Sequence, residues 1–161
     1  MATLRLALMA LTWALVGCAE APRTLIVHPL AHTNHDRHFY LVVRALKEEE
    51  FVSDGYQKIA SLVFPAAADP SVRLVRLVRP GRDDKLELAL PDGQPYAVYA
   101  LFTDPGDSWK VLLTPPLAPR YELLLDGNRL QVRASGQPAR KVALPSLEKT
   151  GLEVPTVEVP K

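Results

Sequence analysis

Short β-prone stretches alternate with turn signals along most of this chain, and that rhythm constrains its fold more than any other feature. Thr24 to His28 and His38 to Leu46 are rich in β-branched and aromatic residues, the composition of strands. Val72 to Val78 and Lys85 to Leu90 flank Arg79-Pro80-Gly81-Arg82, a turn sequence, and read as a strand pair. Leu86, Leu88 and Leu90 alternate with polar or small residues, as a half-buried strand requires. Tyr96 to Phe102 is apolar or aromatic at both alternating sets of positions, which predicts a central strand covered on both faces. Ser108 to Leu113 follows the turn Asp104-Pro105-Gly106-Asp107. Arg120 to Leu125 and Arg129 to Arg133 flank Asp126-Gly127-Asn128, a hairpin signal. These eight short strands predict an all-β, antiparallel sandwich. One short helix interrupts them. Lys47 to Glu50 reads as a charged break, with Glu48-Glu49-Glu50 a like-charge, solvated run. Ser53 or Asp54 suits the cap of the helix, and Phe51, Tyr56, Ile59 and Leu62 are spaced to share one face of it.

The N-terminus carries a different signal. Arg5 precedes an apolar run from Leu6 to Val16, and Leu15-Val16-Gly17-Cys18 closes it. A short basic start, an apolar core of this length and small residues at the end form a secretory signal. The run is shorter than the roughly 20 apolar residues a membrane-spanning helix needs. Cys18 is the only cysteine, and its position resembles that of the lipidated residue in a bacterial lipobox. The expected organisation is a signal peptide at 1–17, a lipidated tether at 18–23, a β-sandwich at 24–144 and a flexible Pro-rich tail at 145–161. Five extended residues, Ala19 to Arg23, reach about 17 Å at most, so the tether holds the folded body close to the lipid.

Charge and cysteine usage exclude several functions. The chain has 19 Lys+Arg against 18 Asp+Glu, and Arg5 is the one basic residue within 1–17. The processed chain is therefore formally neutral, which argues against a nucleic-acid partner and leaves acyl chains to anchor it. With Cys18 lipidated, no thiol remains for catalysis or for a cysteine zinc site. No Gly-x-Ser-x-Gly, phosphate-binding or dinucleotide-binding motif is present. All four histidines, His28, His32, His35 and His38, fall in one stretch. Clustered imidazoles favour metals, and Asp36 could add an oxygen, but no second cluster completes a site. A polar recognition loop is the simpler reading. Trp109 reads as a core anchor. Arg73, Arg76 and Arg79 alternate faces along a strand and do not form one basic patch.

The lipobox, the first strand and loop, and Leu41-Val42-Val43-Arg44-Ala45-Leu46-Lys47 together resemble the outer-membrane lipoprotein family of the type VI secretion membrane complex. Phe51, Asp54 and Tyr56, then Pro80-Gly81, Tyr99 to Phe102, and Trp109-Lys110 follow in that family's order. Thr103 and Lys110 stand where the family often has Arg. The resemblance, spanning roughly Thr24 to Val132 plus the signal, implies a transthyretin-like sandwich of two four-stranded sheets, with no enzymatic activity and no cofactor. It implies a lipid-anchored structural component at the periplasmic face of the outer membrane. The implied partner is the periplasmic domain of the inner-membrane core subunit, with contact through the loop Pro29 to Arg37. Ala19, which is not Asp, fits export to the outer membrane. The expected partner-binding residues are Thr33, Asn34, His35, Asp36 and Arg37, in a surface loop whose replacement would leave folding intact. The alternative function is a periplasmic lipoprotein module holding a metal ion or small ligand through the His28 to His38 loop.

Overall fold

The computed structural model describes residues 22–135. The expected signal peptide, Cys18, most of the tether and the tail at 145–161 lie outside these residues. Eight strands form two four-stranded sheets. The strands are β1 (Arg23–Pro29), β2 (Phe39–Ala45), β3 (Val72–Val78), β4 (Asp84–Leu88), β5 (Tyr96–Leu101), β6 (Lys110–Leu113), β7 (Arg120–Asp126) and β8 (Arg129–Ser135). One sheet has the order β4-β1-β7-β8 and the other β3-β2-β5-β6. The all-β sandwich read from the sequence is therefore the architecture observed. One pairing, β1 with β7, is parallel. The other five ladders are antiparallel.

Two sequence expectations need correction. β3 and β4 do not pair with each other. β3 pairs with β2 in one sheet and β4 with β1 in the other. The turn between them crosses the open side of the sandwich, where Arg76 Nη2 lies 2.7 Å from Asp84 Oδ2. A turn sequence reverses the chain but does not specify which sheet receives it. The helical segment is also split, into α1 (Glu48–Ser53) and α2 (Tyr56–Ala60). Glu48 to Glu50 are exposed as expected, but they form the first turn of α1, where carboxylates favour the helix N-terminus. The Lys47 backbone N–H donates to Glu50 Oε2 at 2.9 Å, starting that helix. Neither Ser53 nor Asp54 is an N-cap: Asp54 is the C-cap residue of α1, its N–H donating to the Glu50 carbonyl, and Gly55 precedes α2.

The core lies between the sheets and continues under the helices. Every residue of β5 is buried, as its sequence predicts. Tyr96, Val98 and Ala100 pair with Ala45, Val43 and Leu41 on the sandwich side. Tyr99 pairs with Val42 on the outer side, which α1 and α2 cover. Phe102, just past β5, is fully buried and lies 5.1 Å from Phe39, ring to ring. Among the described residues no helix is long and apolar enough to cross a membrane.

Candidate functional site

Strand direction gathers four loops at one end of the sandwich. They join β1 to β2, β3 to β4, β5 to β6 and β7 to β8, and hydrogen bonds tie them together. The Gly81 N–H donates to the Pro29 carbonyl at 2.9 Å. The Leu130 N–H reaches the Ser108 carbonyl at 2.7 Å, and Asn128 Nδ2 donates to the Asp104 carbonyl at 2.7 Å. Gly81 has φ +71°, and a Cβ there would meet Ala31 at 3.5 Å. The turn accordingly needs glycine for its backbone.

The β1–β2 loop, Leu30 to His38, is the centre of this end. Thr33 and Asn34 are fully buried beneath it. Thr33 Oγ1 donates to the Leu125 carbonyl at 2.8 Å. The Asn34 N–H donates to the Gly127 carbonyl at 2.8 Å. Its Nδ2 donates to the carbonyls of Arg37 and His38, both at 3.1 Å. Its Oδ1 accepts from the Thr103 N–H at 2.6 Å. One side chain therefore fixes the loop to itself and to the β5–β6 loop, while its backbone holds the β7–β8 turn. Asn34, His35 and Asp36 have φ of 52°, 54° and 60°. Asn, Asp and His are the non-glycine residues most often found in this left-handed region, which accounts for that tripeptide. Each such residue costs about 1–2 kcal/mol, and the buried hydrogen bonds hold the strained turn in place.

The five residues expected to bind a partner divide by this geometry. Thr33 and Asn34 face inward and build the loop. His35, Asp36 and Arg37 are exposed and form its presented surface. A Gly/Ser replacement of all five would strip the loop's buried hydrogen bonds and would not leave folding intact. Leu30, 49% exposed, flanks the turn. Beside it, Asp107, Asp126, Asn128 and Arg129 help line a cleft of about 530 Å³ between the β5–β6 and β7–β8 loops.

The four histidines do not converge. His28 Nδ1 lies 2.9 Å from Asp83 Oδ2, and His32 Nε2 lies 2.6 Å from Asp126 Oδ1. Arg79 Nε donates to His38 Nε2 at 3.3 Å, so that ring nitrogen acts as an acceptor. Among the described residues no group of three or more His, Cys, Asp or Glu side chains could hold a metal ion.

Sequence reasoning did not anticipate a second constellation under α1 and α2. Arg44 Nη1 donates to both Asp54 carboxylate oxygens, at 3.2 and 3.0 Å. Tyr99 Oη donates to Asp54 Oδ2 at 2.5 Å, and Lys58 Nζ to Oδ1 at 2.8 Å. Burial alone would raise the Asp54 carboxyl, but the hydrogen bonds from Lys58 and Tyr99 and the charges of Arg44 and Lys58 outweigh it. They hold the group below the ordinary carboxylate value. Burial, with the Asp54 hydrogen bond and charge, pushes the Tyr99 phenol far up. Lys110 Nζ donates to the carbonyls of Phe51 (2.7 Å) and Asp54 (3.0 Å) and sits 4.8 Å from the Phe51 ring centroid. Tyr56 Oη donates to the Phe102 carbonyl, and its ring meets that of Trp109 edge-on at 5.2 Å. Arg44, Phe51, Asp54, Tyr56, Tyr99, Phe102, Trp109 and Lys110 thus form one contact network. All eight are among the residues that carry the sequence resemblance. They seal the helical cover onto the sheet, and two of them, Phe102 and Trp109, bound the β5–β6 loop.

The family model for the N-terminal domain of IglE matches residues 40–125, more than half of the 161 residues. The chain belongs to the IglE family. The match begins in β2 and ends in β7, so it contains the whole Arg44–Asp54–Tyr99 network. No curated protein sequence matches the chain. Among solved structures, a chain of a type VI membrane complex has a TM-score of 0.56 at 19% identity, covering 70% of this chain and 98% of that one. The type VI lipoprotein TssJ1 from Pseudomonas aeruginosa has a TM-score of 0.55 at 17% identity, covering 73% and 99%. A chain described as the TssM C-terminal domain from EAEC has a TM-score of 0.53 at 20% identity, covering 69% and 99%. At these identities the likeness is one of fold. The neighbours agree with the sequence resemblance to type VI secretion lipoproteins.

Proposed function

We propose that this chain is a lipid-anchored structural component of a type VI secretion membrane complex, tethering the inner-membrane core subunit to the outer membrane. The supporting observation is the opposed placement of the two ends of β1. Arg23 starts β1 at the end of the sandwich away from the loop cluster, paired with Leu88 of β4. Pro29 ends it at the cluster. Seven strand residues separate the two by about 20 Å. An acyl anchor on Cys18 would therefore sit at one end, with Leu30, His35, Asp36 and Arg37 facing away from the lipid.

The loop is suited to recognising a protein surface. It offers a cation, an anion, an imidazole and an exposed aliphatic side chain on a backbone already fixed by Asn34, so little ordering cost falls on binding. The partner is the periplasmic domain of the inner-membrane core subunit, in keeping with the neighbours described as TssM and as a type VI membrane complex. The role is mechanical, and no catalytic arrangement enters it.

Cys18→Ser tests the anchor. The variant should leave the outer-membrane fraction and no longer bring the inner-membrane core subunit with that fraction on purification. A variant that still fractionates with outer membrane and retains the core subunit there would overturn the tethering role.

A further inference from the structure

β3 is an edge strand whose outer face is apolar and whose flanks are basic. In the order β3-β2-β5-β6 it has no strand partner on its far side among the described residues. Its alternation with β2 places Tyr40 opposite Leu77 and Val42 opposite Val75 on the outer face. The helices bury Val42 but leave Leu77 52% and Val75 36% exposed. Phe64 extends the same surface. Its ring meets Tyr40 edge-on at 5.6 Å, yet it is 79% exposed. A contiguous strip therefore runs Phe64–Tyr40–Leu77–Val75 along an unpaired strand edge.

The exposed outer-face charges that flank this strip are basic. Arg79 follows the strand on the same face, opposite His38. Arg73 occupies the register shift where β3 meets Arg44. Arg82 lies beyond, on a cleft of about 210 Å³ that Arg76, Leu77 and Arg79 also line. The nearby carboxylates are already engaged, Asp84 by Arg76 and Asp83 by His28. Edge strands are commonly protected by charges set along them. Here the exposed outer-face arginines bracket the apolar pair and leave it uninterrupted.

We infer that the β3 edge receives an extended segment of a partner protein, added as a strand, with aliphatic side chains on Val75 and Leu77 and carboxylates on Arg73 and Arg79. Main-chain hydrogen bonds would supply affinity and the alternate side chains specificity, as in other strand additions. This surface lies along the side of the sandwich, apart from the exposed tip of the β1–β2 loop, so it provides a second attachment point.

The probe is a labelled, end-capped peptide, Glu-Thr-Val-Thr-Val-Thr-Glu, whose outer-face pattern is the same in either strand direction. It is titrated by fluorescence anisotropy against the full-length chain in detergent micelles, beside the same peptide with Lys at both ends. The Glu peptide should bind at least tenfold more tightly than the Lys peptide. The double variant Arg73→Glu/Arg79→Glu should invert that order, and Arg79→Gln alone should narrow it. Replacing the central Thr and the Val after it by Pro-Pro should weaken the Glu peptide at least tenfold, because one of two adjacent N–H groups must face β3 and its ladder hydrogen bond is lost. Absence of saturable binding, an unchanged order in the arginine variants, or full binding by the Pro peptide would each overturn the inference.

Discussion

Asp54 shows how much structure one buried carboxylate can organise. Its side chain is fully buried and receives Arg44, Lys58 and Tyr99. Removing one partner of a buried charged set typically costs about 3–5 kcal/mol, so Asp54→Asn should lower stability by that order at pH 7. The folded-state pKa of Asp54 is depressed below its unfolded value of about 3.9. Its contribution is therefore present above that value and is lost as pH falls through the folded pKa. Chemical denaturation at several pH values should show the gap between wild type and Asp54→Asn shrinking below about pH 4. A gap that widened in acid would contradict this assignment. Asn34 organises the loop end in a comparable way. Asn34→Ala leaves the Thr103 N–H without its acceptor, which costs roughly 1–3 kcal/mol. His35→Gly removes a left-handed strain and should be neutral or stabilising. Thermal melts of the two variants should move in opposite directions or differ by several degrees. Asn34, His35 and Asp36 were legible in the sequence as polar loop residues. Their backbone role was not, because three consecutive left-handed residues leave no composition signal beyond Asn, His and Asp themselves.

At the level of elements, alternation proved the most informative property. β5 is apolar at both sets of alternate positions and is the strand covered on both faces. The Asp126-Gly127-Asn128 signal marks the β7–β8 hairpin. Phe102 lies at the end of β5 and fills the core against Phe39. Phe102→Ala should cost about 3–5 kcal/mol, and an unchanged melting temperature would contradict its central position. Sheet membership was not legible. Arg79-Pro80-Gly81-Arg82 reverses the chain whether the next strand pairs or crosses, and the choice depends on how β4 meets β1. The helical segment was misplaced for a related reason. Asp54 suits a cap by residue type, but Arg44 and Tyr99 claim its carboxylate through contacts distant in sequence.

At the scale of the whole molecule, the two proposed roles fall at opposite ends. β1 spans the distance, with the anchor expected at Arg23's end and the presented loop at Pro29's. The Arg44–Asp54–Tyr99 network, which carries part of the sequence resemblance, lies between them and holds the helices on the sheet. Those residues advertise the fold, whereas His35, Asp36 and Arg37, proposed to meet the partner, were expected to do so only from the loop's polarity and the family resemblance. The central claim is that the partner contact belongs to the loop end. A triple variant His35→Ser/Asp36→Gly/Arg37→Ser keeps Thr33 and Asn34 and so keeps the buried hydrogen bonds. Thr114→Ala/Arg120→Ala alters the exposed opposite end. Affinity of each for the purified periplasmic domain of the inner-membrane core subunit is the most direct test. The loop variant should bind at least tenfold more weakly, since interface hot spots contribute about 2 kcal/mol each, and the opposite-end variant should bind within about twofold of wild type. Undiminished binding by the loop variant, or a loss confined to the opposite-end variant, would contradict the account.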